Sequence, residues 1–219
     1  MIFKASDSLC EQIAQYLAER IIRGELAPGE RIQEQKVTQA LGVSRGSVRE
    51  ALLILERRHL ITILPRRGAQ VMPITERQVR SLSTLMSELY ILLGLAVAER
   101  WQADADFLPF LTLQQRLTDA CERGDINAFV DHSFQVMRAA YPFADNPYLQ
   151  DTVENLQPAM SRHYFLALDA RKASMHEYLE LFARLLEAVR ARHMAGVRAV
   201  LSAYGQRSCE QILASLGQR

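Results

Sequence analysis

Gln33-Glu-Gln-Lys-Val37-Thr-Gln-Ala40-Leu41-Gly42-Val43-Ser44-Arg45-Gly46-Ser47-Val48-Arg49-Glu50-Ala51-Leu52-Leu53-Ile54-Leu55 is the stretch whose reading decides the fold. Val37, Ala40 and Leu41 stand at i, i+3 and i+4, the spacing of one helical face. Gly42-Val43 forms a tight turn with an apolar plug. Ser44 then caps a longer helix whose inner face is Val48, Ala51, Leu52 and Leu55. Two helices joined by a short glycine-containing turn, with small Ala40 at the crossing, predict a helix-turn-helix.

The second helix shows Arg45, Gly46, Ser47 and Arg49 at its N-terminal end, away from the apolar face. In this motif that end enters the major groove. There an arginine reads guanine bidentately or clamps a phosphate, and Ser47 donates to phosphate. Downstream, Ile61-Thr-Ile-Leu64 and Ala69-Gln-Val-Met72 flank Pro65-Arg-Arg-Gly68, a hairpin of two short strands. Arg66 and Arg67 stand at its tip, and Gly68 permits the turn. Such a wing touches the backbone or the minor groove. Arg57 and Arg58 suit the C-terminal end of the helix dipole.

Pro73 and Thr75 close this region. Thr75 with Gln78 three residues on is a capping box, which puts the domain boundary at about residue 74. From 75 to 219 the pattern is helical throughout. Breaks fall at Gly124-Asp125, at Pro142 with Asn146-Pro147, at Asp169–Ser174 and near His193. Pro158 should kink the helix that contains it. The expected architecture is mainly α: a winged helix-turn-helix over 1–74, then an antiparallel bundle of about six helices over 75–219.

Composition narrows the function classes. The 219 residues are 49% hydrophobic and 23% charged, an ordinary globular chain with enough apolar material for a core. No run of about eighteen apolar residues lacks a charge, which reads against a transmembrane helix. No signal peptide is visible at the start. Cys10, Cys121 and Cys209 form neither a disulfide framework nor a zinc pattern, so a cytoplasmic chain with no membrane partner is expected. Residues 1–74 carry eleven Lys and Arg against eight Asp and Glu, and the remainder fifteen against seventeen. A mildly basic front on a mildly acidic back permits nucleic-acid binding by a local patch. There is no P-loop, G-x-S-x-G elbow or H-E-x-x-H pattern, so no enzyme is expected.

Leu26-Ala-Pro-Gly-Glu-Arg-Ile32 and Leu41-Gly-Val-Ser-Arg-Gly-Ser-Val-Arg-Glu-Ala-Leu52 resemble the winged-helix domain of GntR-family bacterial transcription regulators, over about residues 8–73. The resemblance implies that Arg45, Ser47, Arg49, Arg66 and Gly68 touch operator DNA. The sequence departs from the family at Gly46, where threonine is common, and at His59, where glycine or asparagine usually ends the helix.

Residues 75–219 resemble the FCD ligand-binding domain of the FadR branch, in its shorter, VanR-like version. The matching stretches are Glu122-Arg-Gly-Asp-Ile-Asn-Ala-Phe129, the Asp131-to-Pro147 segment and Leu185-Leu-Glu-Ala-Val-Arg190. Many such domains hold a divalent metal on one aspartate and three histidines. The matching positions here are Asp131, Gln135, Phe182 and Tyr204. Phenylalanine cannot ligate, and neutral tyrosine and glutamine do so poorly. His132 is adjacent to Asp131 and points elsewhere, and His59, His163, His176 and His193 suggest no replacement set, so no metal and no cofactor are expected.

Arg162-His-Tyr-Phe165 and Tyr204-Gly-Gln-Arg-Ser-Cys-Glu210 resemble strings in a metal-free relative that binds acyl-coenzyme A. Family members that bind small carboxylates often carry an arginine in the first helix of this domain, and none occurs between Ser81 and Ala98. The expected effector is therefore acyl-CoA or another apolar acid. Its chain lies along Phe182 and its head meets Tyr204, Arg207 or Ser208, while a buried Asp131 accepts from Gln135 and Tyr204. The resulting expectation is a homodimeric bacterial repressor on a palindromic operator, responding to a small-molecule effector. The alternative is a constitutive DNA-binding regulator with a closed, vestigial sensor.

Overall fold

The computed structural model describes residues 8–64, 68–167, 172 and 174–217. Pro65, Arg66 and Arg67 of the expected wing tip lie outside the described residues, as does most of the expected break at Asp169–Ser174. The chain divides into two compact units, residues 1–74 with 154–165 and residues 75–153 with 166–219.

In the first unit, α1 (Leu9–Ile22) buries Ile13, Leu17 and Ile21 on one face. α2 (Glu34–Leu41) ends at Gly42 in the left-handed conformation, with Gly42 N donating to Thr38 O. α3 (Arg45–Arg57) follows at once. Its Ser44 Oγ accepts from Ser47 N at 3.1 Å, the cap the sequence calls for, and Val48, Ala51, Leu52 and Leu55 are buried. Burying side chains such as Leu52 and Leu55 stabilises the unit by about 1.5–3 kcal/mol each. Ala40, expected at the helix crossing, is exposed; Val37, Thr38 and Leu41 face inward instead. At about 100° per residue Val37, Leu41 and Thr38 share one face, and Ala40 falls beyond its edge.

The hairpin is part of a three-stranded antiparallel sheet, β1 (Arg31–Ile32), β2 (Ile61–Leu64) and β3 (Gly68–Val71), with β3 in the middle. Ile32 pairs with Ala69, and Ile63 also pairs with Ala69 from the other side. The helical pattern hid β1, because two residues carry no periodicity. Glu56 Oε1 accepts from Ile63 N at 2.7 Å and so ties α3 to β2. His59, between them, has φ +56°.

The second unit is built on α4 (Glu76–Arg100). Thr75 and Gln78 form the expected capping box, Thr75 Oγ1 accepting from Gln78 N and Gln78 Oε1 from Thr75 N. α4 is long and apolar enough, by length and composition alone, to cross a membrane. Its Val79, Ser83, Met86, Tyr90, Leu93 and Val97 are buried at alternating spacings of four and three, the pattern of a helix packed within a bundle.

Then come α5 (Leu108–Glu122), α6 (Ile126–Ala139), the single turn α7 (Tyr141–Ala144), α8 (Pro147–Leu166), α9 (Met175–Arg190) and α10 (Met194–Leu216). With α4, six helices of fourteen residues or more are thus seen among the described residues after Thr75. Asp125 caps α6 and Asn146 caps α8, accepting from Ala128 N and from Leu149 N at 3.1 Å. α8 runs through Pro158 without ending.

The longest packing seam is between α4 and α10. A Cβ on Gly205 would lie 2.5 Å from Ser87 Oγ, so the seam needs a residue without one there. The turn before α10 contains neither glycine nor proline. Arg192 takes the left-handed conformation, φ +51°, and its guanidinium donates to the carbonyls of Glu99 and Trp101 at 2.7 Å. It also lies 4.8 Å over the Trp101 ring.

Candidate nucleic-acid interface and effector cavities

The first candidate site is the N-terminal end of α3. Arg45, Gly46 and Arg49 are exposed and Ser47 is half-buried. The residues i, i+1 and i+4 from Arg45 stand outward because Val48, Ala51 and Leu52 take the inward face. Ser47 Oγ lies 2.9 Å from Ser44 Oγ, so the cap and the candidate phosphate donor share one hydrogen bond. Arg49 is not a loose charge. Its Nε donates to Glu34 Oε2 of α2 at 2.9 Å, which orients the guanidinium and leaves its terminal nitrogens for a ligand. Glu34, fifteen residues back, carries no periodicity signal that would reveal this pairing.

At the wing, Gly68 has φ +78°, and a Cβ there would lie 3.0 Å from Ile32 O of β1. Both the turn and the close approach of β1 exclude a side chain. Gly68 therefore shapes the wing.

The second candidate site is a run of three cavities in the second unit. One of about 20 Å³ is lined by Phe129, Ser174, Glu177, Tyr204, Arg207 and Ser208 among others. The next, about 30 Å³, lies between Met137, Tyr178, Phe182, Val200 and Tyr204. The third, also about 30 Å³, is walled by Tyr90, Val97, Phe110, Val136, Phe182 and Val189. Tyr178, Leu181 and Tyr204 are shared by the first and second, and Met137, Phe182, Leu185 and Leu201 by the second and third. The series follows α9 from Met175 to Val189, a run of about 21 Å at the helical rise. One end is polar and the other almost wholly apolar.

Four of the six expected effector residues thus line this series: Phe182, Tyr204, Arg207 and Ser208. Asp131 and Gln135 of α6 line none of the three cavities. Asp131 is exposed, which corrects the expectation of a buried carboxylate. An exposed carboxylate, a half-buried amide, a buried phenylalanine and a phenol do not suit a divalent ion. The donor set does not fit a metal.

The centre of the series is Tyr178, which the sequence reading did not single out. Its ring packs edge-on against Phe129 at 5.2 Å and Tyr204 at 5.3 Å, and stacks on Phe182 at 6.4 Å. The signal was present: Tyr178 precedes Phe182 by one helical turn. At the polar end, Arg207 Nε lies 3.5 Å from Glu177 Oε2, joining α9 to α10. Gln211 Nε2 donates to Ser174 Oγ at 2.9 Å.

The string Arg162-His-Tyr-Phe165 has a different place. Arg162 and His163 line none of these cavities. They belong to the part of α8 that groups with the first unit. Arg162 is buried and its guanidinium donates to Met72 O at 2.7 Å. Burial pulls its pKa down to about 10, so it remains charged at neutral pH. His163 is also buried, and burial with the neighbouring Arg162 charge lowers its pKa to about 4. Its Nδ1 has no hydrogen-bond partner among the described residues. A histidine held this way is neutral at pH 7.

Comparison with known proteins agrees with this two-part layout. Residues 9–71 match the family described as bacterial regulatory proteins, gntR family, and residues 77–207 match the FCD domain. The chain is 27% identical over 196 residues to the HTH-type transcriptional regulator McbR of Escherichia coli (strain K12), covering 89% of this chain and 88% of that protein. It is 29% identical over 181 residues to the HTH-type transcriptional repressor RspR of the same organism, covering 80% and 78%. Among solved structures, E. coli McbR/YncC superposes with a TM-score of 0.80 at 24% identity, covering 96% of this chain and 100% of that one. That likeness supports the fold.

Proposed function

The chain belongs to the bacterial gntR family of regulatory proteins and carries the FCD domain, and on that premise we propose that it is a metal-free, effector-responsive repressor. In this reading it is a cytoplasmic homodimer of the FadR branch with a VanR-like sensor. It reads a palindromic operator with Arg45, Ser47 and Arg49 and braces the duplex with the wing around Arg66, Arg67 and Gly68. Its effector is an amphipathic acid of the acyl type, seated along α9 with its chain against Phe182 and its head near Tyr204, Arg207 and Ser208.

The observation that carries the sensor reading is the polarity gradient of the three cavities, from Arg207, Glu177 and Ser174 to Val97, Phe110 and Val189. A small dicarboxylate leaves the apolar end unfilled, and a hydrocarbon leaves the polar end unsatisfied. The dimer reading rests on α4, where Leu85 and Leu92 are 47% and 51% exposed and lie two turns apart on one face. A two-fold axis pairs such a stripe with its own copy. The mutual packing of Phe129, Tyr178, Phe182 and Tyr204 favours the second reading, a sensor packed shut on a constitutive DNA-binding protein.

Selection of bound DNA from a random pool tests the first half, with an inverted-repeat site expected. A melting screen of acyl-CoAs, fatty acids and divalent metal ions tests the second, since a ligand for the folded state raises stability. A shift by fatty acids or acyl-CoAs supports the sensor reading; no shift by any of them favours the closed sensor. Stoichiometric zinc, nickel or manganese surviving dialysis overturns the metal-free reading.

A further inference from the structure

The polar end of the cavity series is occupied by the protein's own ion pair. Among the described residues lining the three cavities, Arg207 on α10 is the one cation and Glu177 on α9 the one anion. They meet at 3.5 Å, each about half exposed. Both line the cavity, so the pair stands where an amphiphile's head would lie, not beside it.

Two features bias this end toward negative charge. Arg207 supplies a guanidinium with several donors in a fixed fork. Ser174, at the N-cap of α9, makes no side-chain capping bond to the helix; its Oγ accepts from Gln211 instead. Glu177 stands in the first turn of α9, where the helix N-terminus carries partial positive charge. Glu177 supplies the negative charge that this environment favours.

We propose that the polar end takes an anionic head group, which displaces Glu177 from Arg207, so that Glu177 acts as a tethered competitor setting effector affinity. This rests on the reading of the cavities as the effector site and specifies the chemistry at one end of it. An anionic amphiphile gains a charge-assisted contact with Arg207 and releases Glu177 to water, where an exposed carboxylate is well solvated. A cationic amphiphile has only Glu177 to meet and must leave Arg207 without its partner. A neutral amphiphile leaves the ion pair in place. The competitor is partly exposed, so its effect is modest and screened by salt.

The test uses three probes of equal chain length, decanoate, decan-1-ol and decyltrimethylammonium, below their micellar concentrations. Each is titrated into the full-length protein by calorimetry at low ionic strength. Wild type binds decanoate more tightly than the other two. Glu177→Gln tightens decanoate about three- to fivefold, the range open to an exposed pair, and leaves decan-1-ol within about twofold on the same grounds. Arg207→Gln weakens decanoate about fivefold or more by removing a charge-assisted contact, again sparing decan-1-ol. Glu180→Gln, exposed on α9 and outside the cavity linings, leaves all three unchanged. Added salt reduces the decanoate preference.

Equal binding of the three probes, a preference for the cation, or weaker decanoate binding in a folded Glu177→Gln protein overturns the head-group inference while leaving the cavity reading standing. Binding of none of the three overturns both.

Discussion

The two candidate sites use the same pairing in opposite surroundings. On α3, Arg49 stands outward and exposed and is steadied by Glu34 from the neighbouring helix. Along α9, Arg207 lines a cavity and is held by Glu177 from the neighbouring helix. The first arginine is exposed near the N-terminal end of its helix. The second lines a small pocket that α6, α9 and α10 leave beside Tyr178. An exposed helix end tolerates substitution without loss of packing. A cavity wall does not, because its residues also form the core.

That contrast predicts a division of effects. One is on DNA. Arg45→Ala and Arg49→Ala each weaken operator binding by about 1–3 kcal/mol. The double variant folds with unchanged melting temperature. Retained wild-type affinity in a titration with labelled operator removes α3 from the interface and breaks the comparison.

The largest effect on stability is that of Phe182→Ala. Phe182 is 4% exposed, and truncating a buried phenylalanine destabilises by about 3–5 kcal/mol. Chemical denaturation is expected to show this loss in full, unlike at Arg45. A change below about 1 kcal/mol, the scale of surface substitutions, shows that Phe182 is not part of a packed wall.

The third concerns His163. Its folded pKa of about 4 lies below the ordinary 6.5, so as pH falls the unfolded chain takes up a proton before the folded one does. The stability from keeping His163 neutral is full above pH 6.5 and is lost as pH drops toward 4. The loss reaches about 3 kcal/mol. His163→Leu flattens the stability profile across this window. An unchanged slope in that variant assigns the acid sensitivity elsewhere.

The smallest effects compare two residues with one backbone conformation. His59 and Arg192 both have positive φ, +56° and +51°. His59→Gly relieves strain and is expected to stabilise by about 0.5–1 kcal/mol. Arg192→Gly relieves similar strain but removes the donors to Glu99 and Trp101, for a net loss of about 1–2 kcal/mol. Paired melting curves decide this; the same sign for both shows that the backbone alone governs each turn.

The sequence alone determined everything built from neighbours. Helix spacing at Val48, Ala51, Leu52 and Leu55, the Ser44 cap, the Thr75–Gln78 box and the breaks at Gly124 and Asn146-Pro147 all act within a few residues, so period and cap chemistry reveal them. The arginines of α3 were legible for the same reason, as the remainder of a helix whose inward face is known. Tertiary structure decided what depends on distant segments. Ala40 faces solvent, a two-residue β1 joins the hairpin, Asp131 is exposed, and Arg162 leaves the sensor series to bind the Met72 carbonyl. Glu34 and Glu177 became partners of arginines fifteen and thirty residues away. Resemblance pointed to Phe182 and Tyr204, but only packing brought them together around Tyr178. A helical period states which residues turn inward, and the crossing of separate helices decides what they meet there.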